Sequence, residues 1–223
     1  IGTAFALARA GVLSPSDARV VFELGVGPTP VDLTWEQGAL RFARMSQLRP
    51  IFEEPALDRE ALARALRVPT GALHPALPVQ TVSCGVPYLL VPLATRADVD
   101  RAGLDLDAYD RIRPHSDLEP LPVYVFSTQA GPDAATTYSR MFAVGLGMVE
   151  DPATGSAAGP LGCYLVRHGV VNVANAATIV NLQGVRMGRP SVIHVAVTAI
   201  DGTITAVHVG GEAIVAGEGT LYV

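Results

Sequence analysis

The sequence predicts an α/β protein of the α+β kind, built from two pseudo-symmetric halves. In each half a helix is followed by mostly antiparallel hairpin strands. Three observations carry this prediction: an internal repeat, an apolar segment with helical spacing, and short segments rich in β-branched residues. The 223 residues are enough to bury the core of one large or two small domains.

The internal repeat relates the start of the chain to the region around residue 165. Four positions recur at a separation of 158, namely Leu7, Arg9, Gly11 and Val12 against Leu165, Arg167, Gly169 and Val170. Leu24 and Leu182 keep that separation, and Gly, Val, Gly and Pro then follow in the same order in both copies. Gly38 and Gly202 mark a later turn, now 164 residues apart. The ordered set predicts a duplicated unit.

Each copy of the unit contains segments typical of strands. In the first copy they are Val20–Leu24, Val31–Trp35 and Ala39–Arg44, and in the second they are Thr178–Leu182, Val192–Ile200 and Ile204–Val209. Apolar spacing predicts a helix in the second copy that begins between Thr154 and Gly159 and is terminated by Gly169. Pro160 is tolerated only near the first turn of that helix. Few charges precede Arg167, so we expect the helix to be central and wrapped by sheet.

The repeat also suggests where the halves divide. Pro69–Pro78 is rich in proline and glycine and is predicted to connect them. We expect residues 1–75 to belong to the first half, joined by a last strand at about 214–223, and residues 76–213 to form the second half. Alignment of the repeats places Ile1 opposite Gly159, inside a helix, so we expect the first half to be N-terminally truncated and to lack a natural upstream segment. The alternative is an unusual natural start.

The segment Glu150–Leu165, EDPATGSAAGPLGCYL, is the strongest candidate for a functional site. Two carboxylates lead through a turn of small residues into the predicted central helix. Backbone N–H groups at a helix start have no intrahelical partner and carry partial positive charge, so they bind anions when small residues allow close approach. Thr154 and Ser156 can cap the helix or contact a ligand. An ordinary capped helix is the alternative.

Composition excludes several other chemistries. Although 49% of the residues are hydrophobic, no apolar run approaches the roughly 18 residues of a membrane span, so we expect no membrane partner. The net charge of −5, without a basic stripe, argues against nucleic acid. All 16 basic residues are arginine, which excludes a pyridoxal Schiff base or a phosphate-loop lysine. No signal peptide is recognisable, and we therefore expect a cytoplasmic protein.

The cysteines and histidines give no metal signature. Cys84 and Cys163 are too few for a disulfide framework, and we expect both to be buried free thiols. The five histidines are scattered without the spacing of a helical metal site. We therefore expect neither a metal nor another cofactor.

Four segments resemble those of the phenazine-biosynthesis PhzF-like family. The segment EDPATGSAAGPL, with the helix that ends at Arg167–Gly169, carries the strongest resemblance, and QGVRMGRPS at Gln183–Ser191 is similar to the family's second recognisable segment. YSRMF at Tyr138–Phe142 and GVPYLLVPL at Gly85–Leu93 are also similar in type and order.

This resemblance implies the diaminopimelate-epimerase-like fold, in which each half is a curved sheet or barrel around a central helix. It implies Asp151 as the catalytic carboxylate of the second half and Ser156 as a ligand-contacting hydroxyl. Thr154 and Gly155 would supply the turn and backbone donors, and Ala157 completes the expected substrate-binding set. The family's principal acid/base, a glutamate, and its Gly-His-Pro segment would lie upstream of Ile1 and are not in this sequence.

The function implied is that of an isomerase that moves a proton on a small carboxylate-bearing metabolite without a cofactor. Two alternatives stay open. One is a non-catalytic protein that binds a small acid, and the other is an amino-acid racemase or epimerase of the same fold, which would need a thiol pair where Thr154–Ser156 offer no cysteine. For such a fold we expect a homodimer.

Overall fold

The backbone is organised around one continuous β-sheet. A computed structural model describes residues 1–113, 121–143 and 149–220. In these residues the helices are α1 (Gly2–Arg9), α2 (Arg59–Ala65), α3 (Arg96–Arg101), α4 (Leu106–Asp110) and α5 (Gly155–Arg167). The strands are β1 (Arg19–Leu24), β2 (Gly27–Glu36), β3 (Ala39–Gln47), β4 (Ile51–Glu53), β5 (Gln80–Ser83), β6 (Pro87–Pro92), β7 (Val123–Ser127), β8 (Thr137–Phe142), β9 (Glu150–Asp151), β10 (Ile179–Gln183), β11 (Ser191–Ile200) and β12 (Thr203–Gly211).

The strands follow the order β1-β2-β3-β12-β11-β10-β8-β7-β6-β5-β4, and β9 pairs with β8 outside this path. Pairing is antiparallel except between β6 and β7 and between β8 and β10. Short 3-10 turns occur at Thr70–Ala72, Val173–Asn175 and Val185–Met187. The large, mostly antiparallel sheet with few helices confirms the predicted fold class.

The predicted duplication is visible in how the two repeated helices end. Gly11 after α1 and Gly169 after α5 have φ angles of +71° and +67°, a conformation that glycine adopts without steric cost. In both copies the residue after the glycine donates its backbone N–H to the carbonyl five residues earlier, at 2.9 Å. The two helices therefore end in the same left-handed capping motif.

The hairpins that follow are duplicated in detail. The β2–β3 and β11–β12 turns, Gln37–Gly38 and Asp201–Gly202, have positive φ at both residues, as a two-residue hairpin turn of the primed type requires. Each hairpin also has a β-bulge, after Thr34 and after Thr198, again 164 residues apart. The halves join where β3 pairs with β12, and in this register Met45 lies opposite Val209, the position 164 residues further along the chain.

Helix α5 is the central helix of the second half. All nine residues from Ala157 to Leu165 are buried. The helix packs against β11 and β12 on one side and β5 and β6 on the other. A Cβ on Gly162 would lie 2.5 Å from Val195, so glycine is what lets the helix approach the sheet closely. Pro160 is the sixth residue of α5, deeper than the first turn to which the sequence analysis restricted it, because the helix already begins at Gly155.

A second core shows that the predicted boundary after residue 75 lies too late. Leu62 and Leu66 pack against Leu89 and Val125 on the face of the sheet opposite α5. Strand β4 pairs with β5 of the second half. The region 51–75 therefore packs with the second half, and the chain crosses between halves at residues 48–50, not in the predicted Pro69–Pro78 connection.

The predicted last strand at 214–223 is wrong over the part that the structure describes. Residues 212–220 form no strand. Ile214 is 91% exposed and contributes nothing to a core. The segment does return to the first half, because Glu218 forms an exposed ion pair with Arg9 of α1. Residues 221–223 lie outside the described part of the chain.

None of the helices in the described ranges is both long and apolar enough to cross a membrane.

Candidate active site

The adjacent carboxylates Glu150 and Asp151 occupy strand β9, which pairs with the end of β8. Because neighbouring strand residues point to opposite faces, the two side chains enter different environments. Glu150 forms an ion pair with Arg140, with Nη2 and Nε at 2.8 and 2.9 Å from its two oxygens. Arg140 also donates through Nη1 to carbonyls at the end of α3, among them that of Val99 at 3.0 Å. Glu150 and Arg140 therefore stabilise the contact between β9 and the end of α3.

Asp151 is held by two residues of different segments. Thr154 Oγ1 donates to Asp151 Oδ2 at 2.6 Å. Gln183, at the end of β10, donates through Nε2 to the Asp151 carbonyl at 2.7 Å and to Thr154 Oγ1 at 2.9 Å. The Gln183 amide oxygen in turn accepts from the Thr154 N–H at 3.2 Å. This arrangement fixes the carboxylate and leaves Oδ1 without a partner among the described residues.

A network of buried polar side chains in the core holds Gln183 in place. Tyr124 OH donates to Gln183 Oε1 at 2.7 Å and accepts from Asn181 Nδ2 at 2.9 Å. Ser139 Oγ lies 3.0 Å from Tyr124 OH and 2.9 Å from Asn181 Oδ1, and Thr137 Oγ1 donates to Asn181 Oδ1 at 2.8 Å. Burial raises the pKa of Tyr124, so its phenol stays protonated and remains a donor. A fully bonded network of this kind makes the position of Asp151 rigid.

The start of α5 offers backbone donors. In the described part of the chain, no protein acceptor bonds the backbone N–H groups of Gly155 and Ser156, and no side chain caps the helix. The predicted place of Ala157 in the substrate-binding set stays a prediction. Its N–H donates to the Thr154 carbonyl at 3.1 Å and its side chain is fully buried in the core.

Ser156 lies at a cavity of about 430 Å³ between the two halves. The first-half wall is the turn between β1 and β2 together with the end of β3, and the second-half wall is the loop Cys84–Val86 together with Ser156. All the side chains that line it are uncharged within the described ranges. Ser156 Oγ also lies 2.6 Å from the hydroxyl of Tyr88 on β6. Asp151, Thr154 and Gly155 lie at the same helix end but are not part of the cavity wall.

Three contributors to the site were missed by the sequence analysis, although all of them lie in the segments that carried the resemblance. Gln183 opens the segment QGVRMGRPS, and Tyr88 lies within GVPYLLVPL. Gly184 belongs with them, because a Cβ there would lie 2.6 Å from the carbonyl oxygen of Pro152, next to Asp151. All four segments therefore meet around Asp151. Their residue types alone gave no signal of this, because the contacts depend on strand register.

The cysteines are not at the helix start. Cys84 and Cys163 face each other in the core with their sulfur atoms 3.9 Å apart. Within residues 1–113, 121–143 and 149–220, no group of three or more His, Cys, Asp or Glu side chains is placed to hold a metal ion.

The fold and the site define a protein of the diaminopimelate-epimerase-like class, with two related halves and a carboxylate at the start of a central helix. Within this class, the family model described as "Phenazine biosynthesis-like protein" matches residues 1–219. The chain belongs to this PhzF family.

Individual relatives agree with this assignment. The trans-2,3-dihydro-3-hydroxyanthranilate isomerase of Pseudomonas fluorescens is 32% identical over 223 residues, covering 99% of this chain and 72% of the relative. The uncharacterized isomerase YddE of Escherichia coli O157:H7 is 33% identical over 174 residues, covering 77% of this chain. This chain spans only 57% of the length of YddE.

A solved structure shows the same fold. The Bacillus anthracis phenazine biosynthesis protein of the PhzF family superposes with a TM-score of 0.80 at 21% identity, covering 95% of this chain and 71% of that protein.

Proposed function

We propose that this chain carries one catalytic carboxylate of a PhzF-like isomerase, and that Asp151 transfers a proton on a small carboxylate-bearing metabolite without a cofactor. The observation that supports this best is the position of Asp151 at the open start of α5, with one oxygen bonded to Thr154 and the other unpartnered among the described residues. The expected cytoplasmic location and homodimer stay predictions.

The proposed chemistry uses groups already in position. The N–H groups of Gly155 and Ser156 would bind the acid group of the substrate, and the Ser156 hydroxyl would contact it from the cavity wall. Asp151 Oδ1 would take a proton from a carbon next to an activated centre, while Thr154 holds Oδ2 in place. The same helix-terminal donors would stabilise negative charge as it develops on the substrate.

The positions of the cysteines weigh against the racemase alternative. That mechanism needs two thiols on opposite sides of a substrate carbon. The sulfur atoms of Cys84 and Cys163 lie 3.9 Å apart, so no substrate carbon fits between them. The binding-protein alternative keeps the same anion pocket and differs only in the absence of proton transfer.

The test is solvent deuterium exchange, carried out with the full-length product of the gene that encodes this sequence. The protein is incubated in D2O with a panel of cyclic carboxylic acids and amino acids, including trans-2,3-dihydro-3-hydroxyanthranilate. Deuterium at carbon is followed by mass spectrometry and NMR. Asp151→Asn is compared with Asp201→Asn, the same change in the β11–β12 turn, where asparagine tolerates the positive φ.

We expect exchange into at least one acid by the wild type and by Asp201→Asn, and a loss of about 100-fold or more in Asp151→Asn, the size of a general acid/base contribution. Exchange by Asp151→Asn at the wild-type rate would remove Asp151 from the mechanism. If the wild type binds an acid by calorimetry but exchanges no deuterium into any member of the panel, the protein is a binding module and the isomerase proposal is wrong.

A further inference from the structure

The core of the second half contains a pair of thiols that the isomerase mechanism does not use. Cys84 is the first residue after β5, and Cys163 lies about two turns inside α5. Their sulfur atoms are 3.9 Å apart, which is close to van der Waals contact. Both side chains are buried: Cys163 is fully buried and Cys84 is 7% exposed. The two are 79 residues apart in sequence, so the fold alone brings them together.

The surroundings of the pair allow the sulfur atoms to come closer. A disulfide needs a separation of about 2.05 Å, so one partner has to move by roughly 2 Å. Cys163 is fixed within α5, but Cys84 begins the loop Cys84–Val86 between β5 and β6. Gly85 in this loop has a φ of +129°, and a Cβ there would meet only the tips of Val26 and Leu48. The loop therefore has space in which to adjust.

Among the described residues, the cavity between the halves gives a small oxidant a route to Cys84. Cys84 lines the cavity between the halves, whereas Cys163 lies behind it in the core and does not line the cavity. The contact with Cys84, together with burial, raises the pKa of the Cys163 thiol. Cys84 is thus the thiol that meets an oxidant first, and Cys163 is the one in position to react with it next.

We propose that Cys84 and Cys163 form an oxidation site that takes a hydroperoxide as its co-reactant and closes to an intramolecular disulfide. The Cys84 sulfur attacks one oxygen of hydrogen peroxide, so that an S–O bond forms and the O–O bond breaks, and the leaving oxygen takes up the Cys84 thiol proton and departs as water. Cys163 sulfur then attacks Cys84 sulfur, so that the S–S bond forms, the S–O bond breaks, and the oxygen leaves as water with the Cys163 proton. Two thiols and one peroxide give one disulfide and two waters.

The disulfide would act on the cavity. Cys84, Gly85 and Val86 all line it, so drawing Cys84 toward α5 moves part of its second-half wall. Ser156 lies seven residues before Cys163, on the same face of α5. Oxidation would therefore change the wall of the cavity on the side where Ser156 lies. The dithiol chemistry itself does not depend on the isomerase function.

The test counts thiols by mass. The full-length protein is reduced, freed of reductant, exposed to dilute hydrogen peroxide, and then unfolded in the presence of an alkylating agent. We expect the free thiols at these positions to fall from two to none, with a mass loss of two hydrogens and a linked Cys84–Cys163 peptide after digestion. Dithiothreitol should restore both thiols.

Serine variants separate the two roles. In Cys163→Ser, Cys84 should accumulate as a sulfenic acid that dimedone traps. In Cys84→Ser, Cys163 should remain a free thiol at the same peroxide exposure. The inference is overturned if the wild type keeps both thiols, if Cys84 proceeds to the sulfinic acid without a linked peptide, or if only disulfides between molecules form. The wild-type measurement decides the matter even if a serine variant fails to fold.

Discussion

The hydroxyl of Tyr88 lies 2.6 Å from Ser156 Oγ, and this contact ties strand β6 to the first turn of α5. Tyr88 is almost fully buried. Burial raises its pKa, with a smaller contribution from the negative charge of Asp151 in the same direction, so the phenol stays protonated. Tyr88 therefore holds the Ser156 hydroxyl in a fixed orientation at the cavity wall.

We predict that Tyr88→Phe weakens the proposed reaction without unfolding the protein. The change removes the hydroxyl that orients Ser156 and keeps the ring that packs in the core. A lost hydrogen bond of this kind is worth about 1 kcal/mol, which corresponds to a fall of roughly 5-fold in kcat/KM. Steady-state kinetics on an acid that shows exchange would measure the loss.

The matched control is Tyr109→Phe. Tyr109 is equally buried, and its hydroxyl donates to the Leu121 carbonyl at 3.0 Å, in the core on the opposite face of the sheet. We expect the kcat/KM of the Tyr109→Phe variant to equal that of the wild type. Equal losses in the two variants would mean that Tyr88 has no special role at Ser156.

Gly184 and Gly188 form a second matched pair. Both have positive φ, +77° and +69°, so alanine is strained at either position. At Gly188 the added Cβ meets open space, whereas at Gly184 it meets the carbonyl oxygens of Pro152 and Arg189. We expect Gly188→Ala to lower the free energy of unfolding by about 1 kcal/mol, from backbone strain alone.

Gly184→Ala should lower the free energy of unfolding by clearly more than Gly188→Ala does. It should also reduce activity, because Pro152 follows Asp151 directly. Urea unfolding and deuterium exchange on both variants would check this. If Gly184→Ala has the stability and activity of Gly188→Ala, the turn after Asp151 accommodates the added methyl group and the prediction is wrong.

The parts of the fold that the sequence predicted depend on local chemistry. Gly11 and Gly169 end their helices because a left-handed residue is needed there, and Gly38 and Gly202 complete hairpin turns for a similar reason. Such positions can be recognised from a few neighbouring residues. The duplicated helix and hairpin were predicted from these positions. The position of Asp151 before α5 was predicted from the neighbouring segment EDPATGSAAGPL.

The parts that the sequence did not predict depend on pairing over long distances. Tyr88 is 68 residues from Ser156, and Gln183 is 29 residues from Thr154, so neither contact has a local pattern. The error at residues 51–75 has a similar cause. Strand β4 has only three residues. It pairs with β5 at a sheet edge that exists only once the sheet has formed, so the sequence around β4 does not reveal this pairing.

Gln183 should be among the positions whose loss costs the most stability. Its buried amide makes four hydrogen bonds, to Tyr124, Thr154 and the Asp151 carbonyl. Gln183→Leu leaves these groups without partners, and we expect a loss of about 3 kcal/mol in the free energy of unfolding. A double-mutant cycle with Tyr124→Phe, measured by urea unfolding, tests the coupling. Because the two side chains share one bond, the double variant should cost less than the sum of the single variants. If the losses in unfolding free energy of the two single variants simply add in the double variant, Gln183 and Tyr124 are not coupled and the prediction is wrong.

His168 gives a prediction on pH. Its Nε2 lies 2.9 Å from the amide oxygen of buried Gln80, at the end of α5. Burial, and then the neighbouring charge of Arg167, lower its pKa below the ordinary value of 6.5. The unfolded chain therefore binds a proton more readily than the folded one. The resulting stabilisation is fully present above pH 6.5 and is lost as the pH falls through and below it.

His168→Gln keeps a side-chain amide that can donate to Gln80 but cannot titrate. We expect the difference in unfolding free energy between neutral and mildly acidic pH to be smaller in this variant than in the wild type, as measured by urea unfolding at both pH values. Burial also lowers the pKa of His208, so part of the acid sensitivity should remain. An identical loss in variant and wild type would show that His168 binds a proton as readily in the folded protein as in the unfolded chain, because only a difference in proton affinity between the two states produces the expected slope.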